Sequence, residues 1–153
     1  QVFGMRVIAW SENLTAERAQ QAGVTYVSKQ QLFEQADVLS VHLVLSDRSR
    51  GLVNAQALAW MKSTALLVNT ARGPIVDEAA LIKALQKQQL GGAALDVFDQ
   101  EPLPALHPFR TLDTVLATPH VGYVSRQNYQ QFFSQMIEDI QAWSAGSPVR
   151  VLN

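Results

Sequence analysis

The amino-acid sequence predicts an α/β protein built on an open, doubly wound sheet of parallel strands, and three observations predict it. Short apolar runs alternate with segments of helical period, the connections between them are short, and most runs are too apolar to alternate faces, as in strands covered on both sides. With 153 residues, 48% apolar and 16% charged, the chain can bury one core, and the composition excludes disorder. Lys and Arg number 12 against 13 Asp and Glu, a formal charge of -1, so no global positive field exists to hold a nucleic acid. There is no cysteine, which removes disulfides, thiolate zinc sites, iron-sulfur clusters and a cysteine nucleophile together. No apolar run approaches the roughly 18 residues of a membrane span, and the N-terminus lacks the basic-then-apolar order of a signal peptide. The expectation is a soluble, cytoplasmic chain with neither membrane nor nucleic acid as partner.

The elements follow in order. Residues 1–4 read as the end of a helix stopped by Gly4, with a strand-like run at 5–10 directly after it. A helix tail with nothing before it has no first strand to pack on, so the chain is expected to open inside a larger architecture whose N-terminal part is left out. Thr15 caps a helix running to Gly23, and a strand follows at 24–27. Ser28 with Gln31 reads as a capping box opening a helix that ends near Ala36. Strands are expected at 37–43 and 65–69. Asp77 starts the next helix, in which Leu81, Ile82 and Leu85 recur at helical steps, and Gly91 and Gly92 end that segment. Strands at 93–97 and 114–117 complete the sheet. The last helix, from Ser125 to about Trp143, carries one apolar stripe of Tyr129, Phe132, Phe133, Met136, Ile137, Ile140 and Trp143. Such a stripe must dock on something.

In open parallel sheets ligands bind beyond the carboxyl ends of the strands, so the residues just after each strand come first. Arg72 beside Gly73 follows the strand 65–69 and could present a planar fork to a carboxylate; a solvated arginine in a turn is the alternative. Asp96 ends an apolar strand as either a ligand group or a cap acceptor. His120 stands in the turn Thr118, Pro119, His120, as a proton-transfer group or as a structural turn histidine. Glu101 lies in a loop with Pro102 and Pro104. If it reaches His120, the carboxylate favours the imidazolium and fixes the ring's tautomer. An arginine for a substrate carboxylate and a histidine acid coupled to a glutamate are what carbonyl reduction of a 2-oxo acid requires, given a hydride donor alongside. His42 closes its strand and could line a cofactor edge, whereas His107, between Leu106 and Pro108, shapes its loop. No histidine has metal-ligand spacing with another His, Asp or Glu, and neither a Gly-x-Ser-x-Gly elbow nor a Walker A loop occurs.

Three motifs in this order, VNTARGPIVDEAAL at 68–81, AALDVFDQEPLP at 93–104 and TPHVG at 118–122, resemble those of the D-isomer-specific 2-hydroxyacid dehydrogenases. The resemblance extends over essentially the whole chain. It implies a Rossmann-like fold in which residues 1–153 form part of the NAD(P)-binding domain of a two-domain enzyme, with a C-terminal helix and tail at 125–153 and the substrate domain absent. It implies that Arg72 binds the substrate's carboxylate and carbonyl, that His120 donates or accepts the proton, and that Glu101 supports His120. It places Asp96 near the nicotinamide, Thr70, Ala71 and Gly122 along the cofactor with Arg72 and His120, and His42, Leu43 and Val44 at the adenosine side. The resemblance also implies a homodimer through the nucleotide domain.

The sequence departs from that family in three places. The Gly-x-Gly-x-x-Gly turn that receives the pyrophosphate is absent, so the fold is expected to lack its first βα unit, and the chain alone is not expected to turn over. Ser11 stands where many relatives carry an aspartate on the adenosine ribose, which leaves NAD and NADP both admissible; no arginine follows it and Glu12 does not welcome phosphate. Val44 stands where relatives carry proline, a change expected to alter the loop and not the chemistry. The expected activity of the parent protein is interconversion of a small 2-oxo acid and its D-2-hydroxy acid with NAD(P)H. A formate dehydrogenase-like enzyme is one alternative, which Glu101 disfavours, and a non-catalytic dinucleotide-sensing or corepressor module is another.

Overall fold

A computed structural model of the chain describes residues 2–152, and every strand pairing in them is parallel. β1 (Ile8–Ala9) pairs with β2 (Thr25–Tyr26). Separately, β3 (Val38–Val41), β4 (Leu66–Asn69), β5 (Gly92–Leu95) and β6 (Val115–Ala117) form a four-stranded sheet in chain order. The helices are α1 (Ala16–Gln21), α2 (Lys29–Gln35), α3 (Ala55–Trp60), α4 (Glu78–Gln86) and α5 (Arg126–Ser144). The chain divides into two compact units, Gln1–His120 and Val121–Asn153. This is a parallel α/β architecture of the Rossmann-like kind.

The helix starts follow from the capping residues. Thr15 accepts the Arg18 N–H, Asp77 accepts the Ala80 N–H, and Ser28 and Gln31 exchange both bonds of a capping box. α3 is an element that the sequence reading missed. Asn54 caps it by accepting the Ala57 N–H at 2.9 Å, but at 6 residues it is too short to show a helical period. Phe33 of α2 and Trp60 of α3 meet edge-on with ring centroids 6.3 Å apart. The core lies between α2, α3, α4 and one face of the sheet, where Phe33, Leu67, Ile75 and Leu81 are buried; each fully buried side chain of this kind contributes about 1.5–3 kcal/mol.

Several expectations change. β3 and β4 alternate in burial, and Val38, Leu66 and Leu116 are exposed, so cover on both faces is not what these apolar residues meet in this chain. Gly91 and Gly92 do not end a helix. α4 stops at Gln86, and Gln88 takes the left-handed turn with φ 55°. The two glycines are needed where backbones approach: a Cβ on Gly91 would lie 2.7 Å from the Thr64 carbonyl oxygen, and one on Gly92 would lie 2.8 Å from that of Thr114. Of the helix tail expected at 1–4, Gln1 lies outside the described residues, while Val2 and Phe3 form a turn and Gly4 has φ 73°.

In the unit Val121–Asn153, Ser125 caps α5 and none of its residues is buried. The predicted stripe is present and exposed, with Tyr129 and Phe133 in ring contact at 6.0 Å. Arg150 forms ion pairs with Glu138 and Asp139 of the same unit.

Candidate active site

The sheet register builds the site. Val41 lies opposite Asn69, Asn69 opposite Leu95, and Leu95 opposite Ala117, so all four strands finish in one row. The next residues, His42, Thr70, Asp96 and Thr118, therefore emerge along one edge, where an open parallel sheet holds its ligands.

At the end of β4, the buried Asn69 shapes the turn that carries Arg72. Its Oδ1 accepts the Ala71 N–H at 3.0 Å, and its Nδ2 donates to the Arg72 carbonyl at 2.9 Å. Arg72 itself is exposed, and its Nη1 donates to the Ala71 carbonyl at 2.6 Å. The chain then enters a 3₁₀ turn at Gly73–Ile75. Gly73 lies flat against the segment after β5, so a Cβ there would sit 2.1 Å from the Phe98 carbonyl carbon.

At the end of β5, Asp96 is buried and donates its N–H to the Asn69 carbonyl at 3.0 Å. The Thr118 hydroxyl donates to its Oδ1 at 2.5 Å, while the Thr118 N–H reaches the Leu95 carbonyl at 2.9 Å. The ends of β4, β5 and β6 are thus cross-tied through side chain and backbone. His120 follows in a tight turn, donating its N–H to the Thr118 carbonyl at 3.0 Å with φ 56°. That left-handed backbone is uncommon for a residue with a Cβ and recurs at functional positions.

Glu101 meets His120. Its Oε2 lies 2.7 Å from Nδ1 of His120, and its Oε1 accepts the Phe98 N–H at 3.0 Å. An ionised carboxylate only accepts, so Nδ1 is the donor in this pair. Burial pushes the Glu101 carboxyl up, but the hydrogen bonds from His120 and Phe98, with the charges of His120 and Arg72, outweigh it and hold the carboxyl below the ordinary glutamate range. Arg72 thus acts on the pair electrostatically. Beside the pair opens a cleft of about 530 Å³, lined by Phe98, Glu101, Leu103, Arg110, Thr118 and His120, and Arg72 is outside that lining.

The cofactor-side candidates are more dispersed. Ser11 follows β1 on the separate two-stranded pair, where Glu12 forms an ion pair with Arg48 at 3.6 Å and Lys29 stands over the Trp10 ring at 5.8 Å. Nε2 of His42 lies 2.8 Å from the Ser40 hydroxyl; Leu43 packs against the core and Val44 is exposed. Thr70 and Ala71 belong to the turn that Asn69 holds. Gly122 lies in the other compact unit. Among the described residues no group of three or more His, Cys, Asp and Glu could hold a metal ion, and no helix is long and apolar enough to cross a membrane.

The sequence reading missed Asn69, Thr118 and Arg110. Asn69 and Thr118 had a signal, since each is a polar side chain at the end of an apolar strand. Arg110 had none: its guanidinium donates to the Leu103 carbonyl at 2.7 Å and the Pro104 carbonyl at 2.9 Å, contacts that depend on how the loop folds back.

The model of the family D-isomer specific 2-hydroxyacid dehydrogenase, NAD binding domain, matches residues 1–122. The chain is 39% identical over 152 residues to a glyoxylate reductase of Aeropyrum pernix, covering 99% of this chain and 45% of that protein. An oxidoreductase structure from Ralstonia solanacearum superposes with a TM-score of 0.92 at 40% identity, covering 99% of this chain and 45% of that one. A D-isomer specific 2-hydroxyacid dehydrogenase from Xanthobacter autotrophicus Py2, solved with NADPH and MES, is similar with a TM-score of 0.74 at 36% identity, covering 96% of this chain and 60% of that one. The chain therefore spans about half the length of these three relatives. Matched over residues 1–122 by the model of their NAD binding domain, the chain belongs to the D-isomer specific 2-hydroxyacid dehydrogenases.

Proposed function

We propose that the parent protein is an NAD(P)-dependent oxidoreductase that interconverts a small 2-oxo acid and its D-2-hydroxy acid, and that this chain supplies its nucleotide side and its proton-transfer pair. The single observation that carries this reading is the 2.7 Å contact between Glu101 and His120 at the carboxyl edge of the sheet.

The residues present fit the nicotinamide part of such a cofactor. Asp96 offers a buried carboxylate steadied by Thr118, Thr70 and Ala71 border the same edge, and this reading gives the adenosine side to His42, Leu43 and Val44 after the adjacent β3 and to Ser11 after β1 of the separate pair. When bound, NAD(P)H supplies the hydride that reduces the carbonyl. Arg72 pairs with the substrate carboxylate and polarises its carbonyl. With Nδ1 of His120 held by Glu101, the ring delivers a proton to the substrate oxygen through Nε2, and Glu101 balances the imidazolium charge. In the oxidative direction His120 takes that proton back. Ser11 without an acid, and Glu12 already paired with Arg48, leave NAD and NADP both as cofactors of this reading. A cytoplasmic homodimer is part of the same reading, supported by the family resemblance.

A steady-state assay of the full-length parent protein tests the proposal. With glyoxylate, hydroxypyruvate and pyruvate as substrates, it should oxidise NADH or NADPH and yield the D-isomer where the product is chiral. Tight cofactor binding without turnover on any 2-oxo acid would instead favour the dinucleotide-sensing module, and turnover on formate alone would favour the formate dehydrogenase-like enzyme.

A further inference from the structure

A second histidine–glutamate pair lies outside the proton-transfer pair. Glu78 is the first residue of α4, and His107 stands just before the 3₁₀ turn at Pro108–Arg110. Nε2 of His107 is 3.0 Å from Oε1 of Glu78, and both side chains are mostly buried, at 13% and 22% exposure. The tautomer follows from the other ring nitrogen. Nδ1 of His107 accepts the Phe109 N–H at 3.2 Å, so it carries no proton; Nε2 carries it and donates to Glu78. The pair is a neutral imidazole on a carboxylate.

The other oxygen of Glu78 accepts the Asp99 N–H at 3.4 Å. The adjacent N–H, that of Phe98, donates to Glu101 at 3.0 Å. Two consecutive amides are therefore each aimed at a carboxylate, one from Glu78 behind the loop and one from Glu101 on the site side. The ring stack agrees: Phe109 touches the His107 ring at 4.9 Å between centroids and the Phe98 ring at 6.3 Å. The placement of Glu78 is not electrostatically cheap. Burial first, and then the charge of Glu78, lift the Asp99 carboxyl above the ordinary aspartate range, against the pull of Arg50 and with Asp77 adding to the rise. What this placement gains is a grip on the backbone that feeds Glu101.

We propose that Glu78 and His107 are positioning residues, whose hydrogen-bonded pair fixes the 98–101 segment so that Glu101 meets Nδ1 of His120. The inference rests on the reading of Glu101 and His120 as the proton-transfer pair, but its test reads geometry without turnover.

The test is a carboxyl-carbon NMR titration of Glu101 in the full chain, with Glu78→Ala, His107→Ala, His107→Gln and Leu85→Ala. In Glu78→Ala and His107→Ala, the proton affinity of Glu101 should rise at least about threefold, a clear fraction of the tenfold that one pKa unit represents. His107→Gln keeps an N–H donor for Glu78 and should restore much of the original value. Leu85→Ala, a cavity in the same helix, should leave it unchanged. Unchanged Glu101 titration in folded Glu78→Ala and His107→Ala would overturn the proposal. Imidazole nitrogen shifts of the unaltered chain provide a check that no folding defect can obscure: His107 should be the Nε2–H tautomer, and an Nδ1–H form would equally overturn it. A Glu101 that titrates at its ordinary value in the unaltered chain would instead remove the Glu101–His120 pairing, and with it the proposed function.

Discussion

Gly73 and Phe98 are in direct backbone contact: a Cβ on the glycine would come within 2.1 Å of the Phe98 carbonyl carbon and 2.2 Å of its oxygen. This contact joins the turn bearing Arg72 to the segment leading to Glu101. Because the obstructing atoms are backbone and not the end of a flexible side chain, the neighbour cannot yield by a rotamer change. Gly73→Ala should therefore destabilise the chain by about 3 kcal/mol, the upper end of ordinary overpacking, measured by urea unfolding. A loss below about 0.5 kcal/mol, the size of a surface substitution, would show that the two segments part easily.

The Asp96–Thr118 bond makes a second prediction. Asp96 is buried, and the Thr118 hydroxyl is one of its donors. Thr118→Val keeps the shape and removes the donor, so unfolding free energy should fall by about 1–3 kcal/mol, while Thr118→Ser should cost less. Equal stabilities for the valine and serine variants would mean that the hydroxyl contributes only volume.

Glu101 gives a pH-dependent prediction. Its folded-state carboxyl lies below the ordinary range, so its contribution to stability is present above the unfolded-state pKa and is lost as pH falls through the folded value. At neutral pH, Glu101→Gln should be less stable than the unaltered chain. In acid below the folded value the two unfolding curves should converge. A difference that persists or grows in acid would assign the effect to packing and not to the carboxylate charge.

Arg72 should not be replaceable by lysine. A guanidinium offers a planar fork to a carboxylate, whereas an ammonium is a point charge. In the full-length protein, Arg72→Lys should lower kcat/KM by roughly 10- to 100-fold, the equivalent of one charge-assisted hydrogen bond of about 1.5–3 kcal/mol. The cofactor Kd should change little. Loss of cofactor affinity with unchanged kcat/KM on the 2-oxo acid would move Arg72 from the substrate to the nucleotide.

The sequence made much of this fold legible because its signals are local. Thr15, Ser28, Asp77 and Ser125 each cap the helix that follows, and each of the six apolar runs overlaps a strand, β5 beginning one residue before its run at Gly92. The strands are shorter than the runs, since apolar residues continue past the last ladder bond, as Leu43 does after β3. α3 shows no helical period in the sequence because its 6 residues make fewer than two turns. Gly91 and Gly92 were misread because a glycine needed for close backbone approach looks in sequence like one needed to end a helix. Within the candidate site, Arg72 and His120 stand out in the sequence as chemistry-bearing residues after strands and Glu101 as a carboxylate in a proline-bounded loop, whereas the partners of Asn69, Glu78 and His107 depend on which loop backbone folds against them. That information is tertiary.

His120 is the group proposed to move a proton, and turnover by the full-length parent protein carrying His120→Ala tests this most directly. Loss of a general acid or base predicts a fall in kcat of roughly 100-fold or more, with cofactor affinity retained. Turnover within a few-fold of the unaltered enzyme would contradict it.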